Sequence, residues 1–294
     1  MAGLKLRVLG DLEVIRDGAA LDLPPSRKTR GLLAYLALNP RPVRREQLCE
    51  LLWDIPDDPR GSLRWSLSKL RKLVDEEDSP RIIADRSTVA FDASGVDIDV
   101  LSLHSATEQL AQASVDELVR LAESNQGAFL EGLDLPDLHD FHAWCIGQRE
   151  RTIRAQASVL RELGKRLAEQ PERALDYALS LVSLTPFDES PRAELIRLLV
   201  QLDRQQEAEH QFRVGVEKLA EVGATESGAL RSALRARPDR PVARAASPAR
   251  DALPRVTAPW SDNTLVGRTA EIDILQQLVQ GLPEQDRSQA VLLR

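Results

Sequence analysis

Cysteine is nearly missing from this chain: Cys49 and Cys145 are the two thiols among 294 residues. Two widely spaced cysteines build no disulfide framework and suit a reducing compartment. Long apolar runs are missing as well. No stretch approaches the ~20 uncharged apolar residues that cross a bilayer, so a membrane is not an expected partner. Met1 to Gly10 lacks a basic start feeding an apolar run and a small-residue cleavage site, so no secretion signal is expected and the compartment reads as cytoplasmic. The phosphate-cradling pattern G-x-x-x-x-G-K-[ST] does not occur. Gly164-Lys165 lacks both the upstream glycine and the following hydroxyl residue. No paired carboxylates or Ser–His arrangement stands out, so the expectation is no enzyme, no catalytic residues and no cofactor. His139, His142 and Cys145 are spaced so that a helix could bring them to one side. They are one ligand short of a closed zinc site, and the neighbouring Phe141 and Trp144 point to packing, so no metal is expected.

What is present is apolar content of 43% with 29% charged residues, enough to bury a core. The net charge of −7 at first argues against a nucleic-acid partner, but it is unevenly spread. Cations and acids nearly balance in residues 1–95, whereas acids clearly exceed cations in residues 96–237. What matters is where the N-terminal cations cluster. Leu4 to Gly10 and Leu12 to Arg16 alternate apolar and polar residues and predict two short strands. A third, Ala20 to Leu23, follows the turn at Asp17-Gly18. Ser26 suits an N-cap for a helix to about Leu38, and a second helix covers roughly Arg45 to Trp53. Pro56 and Pro59 bracket an acidic loop, Asp54 to Asp58.

A third helix, roughly Arg60 to Asp75, carries most of the chemistry. At about 100° per residue, Leu63, Leu67, Leu70 and Val74 share a narrow stripe. Trp65, Ser68, Lys69 and Lys72 fall opposite, with Arg64 and Arg71 on one flank. No Asp or Glu occurs from Arg60 to Val74. Arg81 to Ala84 and Thr88 to Phe91 predict a hairpin with Arg86 at its tip. The order of small sheet, three helices and hairpin is that of a winged helix. A helix held by its apolar stripe, with donors on the opposite face, fits a major groove ~12 Å wide. Arg44 and Arg45 stand at a helix N-terminus, where cations oppose the dipole and a nearby phosphate would account for them. Taken alone, a basic face is equally well a solvated face; the acid-free run, the hairpin and the element order together favour DNA. The candidate DNA-binding residues are therefore Arg44, Arg45, Arg60, Arg64, Trp65, Ser68, Lys69, Arg71, Lys72 and Arg86. An acidic loop facing phosphates would cost energy, so Asp54, Asp57 and Asp58 are expected to face away from the duplex.

From Val96 to about Ala236 the pattern is helix after helix: Leu101 to Gln112, Val115 to Glu123, His139 to Ala168, Pro171 to Leu184, Pro191 to Leu202 and Gln206 to Val222. Ala174, Ala178 and Ala208 stand where helices could approach closely. Such apolar stripes need only neighbouring helices, so the array is expected to fold without the winged helix. Arg237 to Trp260 is rich in Pro, Ala and Arg and reads as a linker. The fold class is mainly α with a small β component: an N-terminal winged helix-turn-helix followed by an all-α, repeat-like array. The divisions are 1–95, 96–236, a linker 237–261, and 262–294.

The segments "SRKTRGLLAYLALNP", "RREQLCELLWDIPDDPRGSLRWSLSKLRKLVD", "RIIADRSTVAFD" and "VDIDVLSL" resemble the OmpR-type winged helix of the antibiotic-regulatory-protein family of bacterial activators. "GAFLEGLDLPDLHDFHAWCIGQRERTIRA" through "PRAELIRLLVQLDRQQEAEHQFRVGVEKLAEVG" resembles the tetratricopeptide-like activator domain found beside it. The resemblance implies a recognition role for the third helix, a wing at the hairpin, promoter DNA as partner, and RNA polymerase facing the Trp53 to Pro59 loop. A homodimer on DNA is compatible with it. Arg44 departs from the usual Ser or Thr cap. Trp65 is also unusual for a base-reading position and would suit packing on sugar or on a neighbouring domain. "LVGRTAEIDILQQLV" and "AVLLR" resemble the opening of AAA-type signalling ATPases, and an ordinary amphipathic helix is the alternative. The resemblance makes a longer parent protein the expectation. Two other functions stay open: a protein-interaction scaffold built on the array, and the front of a signalling ATPase.

Overall fold

The computed structural model describes residues 3–53, 58–76, 79–226 and 228–236. The chain divides into residues 1–240 and 241–294. The linker and ATPase-like expectations lie outside the described residues.

Alternating burial makes β1 (Leu4–Arg7) a strand, with Leu4 and Leu6 in the core and Lys5 and Arg7 outside. It pairs antiparallel with β2 (Glu13–Arg16). The Asp17-Gly18 step has both residues at positive φ, 55° and 83°, the two-residue turn whose twist matches its strands. It starts the return strand at once, so β3 is Ala19–Ala20 rather than Ala20 to Leu23. Leu21 still donates its N–H to the Val14 carbonyl. Next come α1 (Arg27–Leu38), β4 (Val43–Arg44), α2 (Arg45–Leu52), α3 (Pro59–Val74), β5 (Ile82–Ala84), β6 (Thr88–Phe91) and β7 (Asp97–Ile98). One sheet runs β3-β2-β1-β7, with β7 parallel to β1, and a second runs β4-β6-β5.

The remaining helices are α4 (Asp99–Thr107), α5 (Val115–Ser124), α6 (His139–Arg166), α7 (Pro171–Leu184), α8 (Glu189–Gln201), α9 (Gln205–Glu221) and α10 (Ala229–Arg235). From α5 onward each helix packs on its chain neighbour. Ala174, Ala178 and Ala208 are buried, so the small side chains do sit where helices meet. The expected helix from Leu101 to Gln112 starts earlier and stops at Thr107, beyond which the chain turns. The protein is mainly α with a small β component, and no described helix is long and apolar enough to cross a membrane.

The N-terminal part and the array share one core, contrary to the expectation that the array needs only itself. Gly31 of α1 lies against the Phe141 ring of α6, where an added Cβ would come within 2.9 Å of that ring. Tyr35 of α1 meets Trp144 edge to face at 5.0 Å, and Trp144 also contacts Phe129 and Phe141. Backbone joins the two parts as well. Gly10 donates to the Ala128 carbonyl at 2.9 Å, and Leu130 donates to Val8 at 2.8 Å. The Asp99 carboxylate accepts from the backbone N–H groups of Val8, Leu9 and Val100. Burial raises its pKa even against those donors.

Candidate nucleic-acid interface

Helix α3 starts on Asp58, whose carboxylate accepts from the Gly61 N–H at 2.7 Å, and Pro59 takes the first helical position. Glycine at 61 leaves room for that cap, because a Cβ there would overlap the Asp58 carboxylate. The stripe Leu63, Leu67, Leu70 and Val74 is fully buried, joined by Ser66 and Leu73. Ser66 forms a 2.9 Å hydroxyl–hydroxyl hydrogen bond with the buried Thr29 of α1. Such a bond fixes the rotation of α3 against α1, since either hydroxyl would be costly to bury alone. At the other end Arg16 of β2 donates to the Leu73 carbonyl at 3.0 Å, a cation at the negative end of the helix dipole. Asp75 then accepts from the N–H groups of Arg81 and Ile82, which ties the helix end to the β5–β6 hairpin.

The opposite face is open. Arg60, Arg64, Trp65, Ser68, Lys69, Arg71 and Lys72 are all exposed. Arg60 reaches Glu46 of α2 at 3.1 Å, and Arg64 stands 3.9 Å from Asp58. Lys69 holds its ammonium 5.3 Å from the Trp65 ring centre. Arg71 and Lys72 occupy the last turn, where the dipole favours cations whatever lies outside. Of the acidic loop, Asp54 and Asp57 lie outside the described residues. Asp58 heads α3 with its side chain largely exposed.

The hairpin is built to present its tip. Asp85 accepts from the N–H and hydroxyl groups of both Ser87 and Thr88, and these donors hold its carboxyl well below the usual carboxylate range. Arg45 braces the turn: its Nε donates to the Asp85 carbonyl at 2.8 Å and its N–H to Ser87 at 2.9 Å. Arg44 pairs with Thr88 across the β4–β6 ladder and is exposed, as is Arg86 at the tip. It caps α2 without a side-chain hydrogen bond. Arg45 thus ties α2 to the hairpin through Asp85, Arg60 ties α3 to α2 through Glu46, and Arg64 pairs with Asp58 at the head of α3. The Thr29–Ser66 pair carried no signal in the sequence, because its hydroxyls meet only when α3 packs on α1, whereas the Asp85 carboxylate bonds within its own turn.

Residues 96–237 match the family described as the bacterial transcriptional activator domain. Among curated proteins, none matches the chain. Among solved structures, the chain is similar to Mycobacterium tuberculosis EmbR in complex with a low-affinity phosphopeptide. That likeness has a TM-score of 0.60 at 22% identity and covers 80% of this chain. The chain spans 64% of the length of that structure, and at this identity the likeness speaks to the fold alone.

Within the activator-domain segment, the residues weighed for zinc go different ways. His139 is exposed, His142 half-buried and Cys145 buried. Burial pushes the Cys145 thiol up to about 12, which fits a small core side chain beside Phe141 and Trp144.

Proposed function

We propose that the protein is a DNA-binding transcription regulator, an activator that binds promoter DNA through α3 and the hairpin and contacts RNA polymerase. The observation that carries this reading is the outward face of α3. From Arg60 to Val74 it exposes five cations and no acid, while its inner face is bolted to α1, α2 and the sheet. Such a helix has the donors and the rigid backing that a major groove requires. The hairpin tip with Arg86 supplies a wing of the OmpR type, suited to phosphate or the minor groove. The match of residues 96–237 to the bacterial transcriptional activator domain, which begins just after β6, supports this reading. EmbR's bound phosphopeptide is a property of that protein.

Polymerase contact falls to the Asp54, Asp57 and Asp58 loop, whose charge repels phosphate and suits a basic protein surface. Two copies would bind DNA at repeated half-sites. The test is to capture genomic duplex fragments with the whole chain and titrate the enriched sequence at several salt concentrations. A cationic interface releases counterions, so affinity is expected to fall steeply and linearly in log–log form as salt rises. Lack of enrichment, or a flat salt response, would overturn the reading in favour of a protein-interaction scaffold.

A further inference from the structure

Trp65 sits on the outermost face of α3, opposite its buried stripe. With the buried stripe of α3 near 0°, Trp65 projects at roughly 200° and Lys72 at roughly 180°, taking about 100° per residue. Arg64 and Arg71 fall on one flank, near 100° and 80°, and Lys69 on the other, near 240°. In a major groove, cations on the two flanks would reach the phosphate backbones and leave the crown of the helix to face base edges. Trp65 is 49% exposed, an uncommon state for the largest apolar side chain on a face that is otherwise cationic. Lys69, one turn further on, lies over its ring at 5.3 Å, which holds the indole in place along the helix. An indole on the crown lacks the paired donors and acceptors that read guanine or adenine. The apolar feature of the major groove is the C5 methyl group of thymine.

Resting on the DNA-binding reading above, we propose that Trp65 is a specificity-determining residue that reads a thymine methyl group in the major groove. Packing one methyl group out of water changes affinity about fourfold. Sugar packing, by contrast, would be indifferent to the base.

The experiment first selects a preferred duplex from random sequence with the whole chain, then replaces each thymine of that duplex by uracil in turn. Uracil keeps the pairing and removes only the methyl group. For the parent protein, one position in each half-site is expected to lose about fourfold in affinity on this replacement. For Trp65→Ala the same replacement is expected to change nothing, while cation-dependent binding persists. An unchanged melting curve is the control that the variant is folded. A parent insensitive at every thymine overturns the proposal. So does a Trp65→Ala protein that remains as sensitive as the parent, or one that is weakened equally on both duplexes, which would mean sugar packing. Failure to select any duplex would sink the DNA-binding reading itself, and this inference with it.

Discussion

Arg64 and Lys69 differ in what each can give up to a duplex. Arg64 has an acid 3.9 Å away, but both side chains are largely exposed, and such pairs contribute about 0–1 kcal/mol. A phosphate replaces Asp58 at little cost. Lys69 lies over the Trp65 ring instead. Arg64→Ala and Lys69→Ala, as flanking phosphate contacts, are each expected to weaken binding about equally on all sequences and to lower the salt slope by about 1, read by gel-shift titration at several salt concentrations. Parent-like binding by both would remove α3 from the interface. These positions were legible in the sequence because period and charge pattern sit on one helix: Leu63, Leu67, Leu70 and Val74 fixed its inner face and thereby the outer one. Thr29 and Ser66 were not legible. A serine inside an apolar stripe says nothing of its partner until α1 is packed beside it.

At the scale of elements, the acidic loop and α3 are coupled through Asp58. Asp58→Ala should remove the N-cap and cost about 1 kcal/mol of stability, whereas Asn retains a capping oxygen. A protein with Asp54, Asp57 and Asp58 all changed to Asn therefore keeps α3 intact and loses only charge. Its operator affinity is expected to be kept or slightly raised, while transcription with purified polymerase drops. Unchanged activation would leave the loop a spacer, and a matched loss of affinity would mean that it faces DNA. Long elements were read well from sequence and short ones were not. Val43–Arg44 and Asp97–Ile98 are two-residue strands, too brief for any alternation to show. The segment at Phe129 bridges to Leu9 with no periodic signal of its own. The activator-type helices carried theirs in full turns.

For the whole molecule, the shared core decides how the chain can be divided. A fragment of residues 97–237 would uncover Phe129, Phe141 and Leu130, all fully buried against their surroundings. At about 1.5–3 kcal/mol for each large apolar side chain, that loss rivals the 5–15 kcal/mol that holds a typical domain together. The fragment is expected to stay helical but melt broadly and well below the intact chain, followed by far-ultraviolet circular dichroism. A sharp transition at the parent temperature would show that the array is self-sufficient after all. The sequence marks a change of pattern near Val96. It cannot mark an interface that spans the change, because Gly31 and Phe141 meet across more than a hundred residues.

That interface also sets a timetable for synthesis. Strand β1 leaves the ribosome well before its partners, since its parallel neighbour pairs Leu6 with Ile98, and the backbone beyond it bonds to Ala128 and Leu130. At roughly 5–20 residues per second, the nascent β1–β2 hairpin waits many seconds with one edge and its apolar face uncovered. Such an edge is a ready template for pairing with another chain. Until residues 98–130 arrive, the emerging chain is expected to aggregate more readily at high concentration than the finished fold.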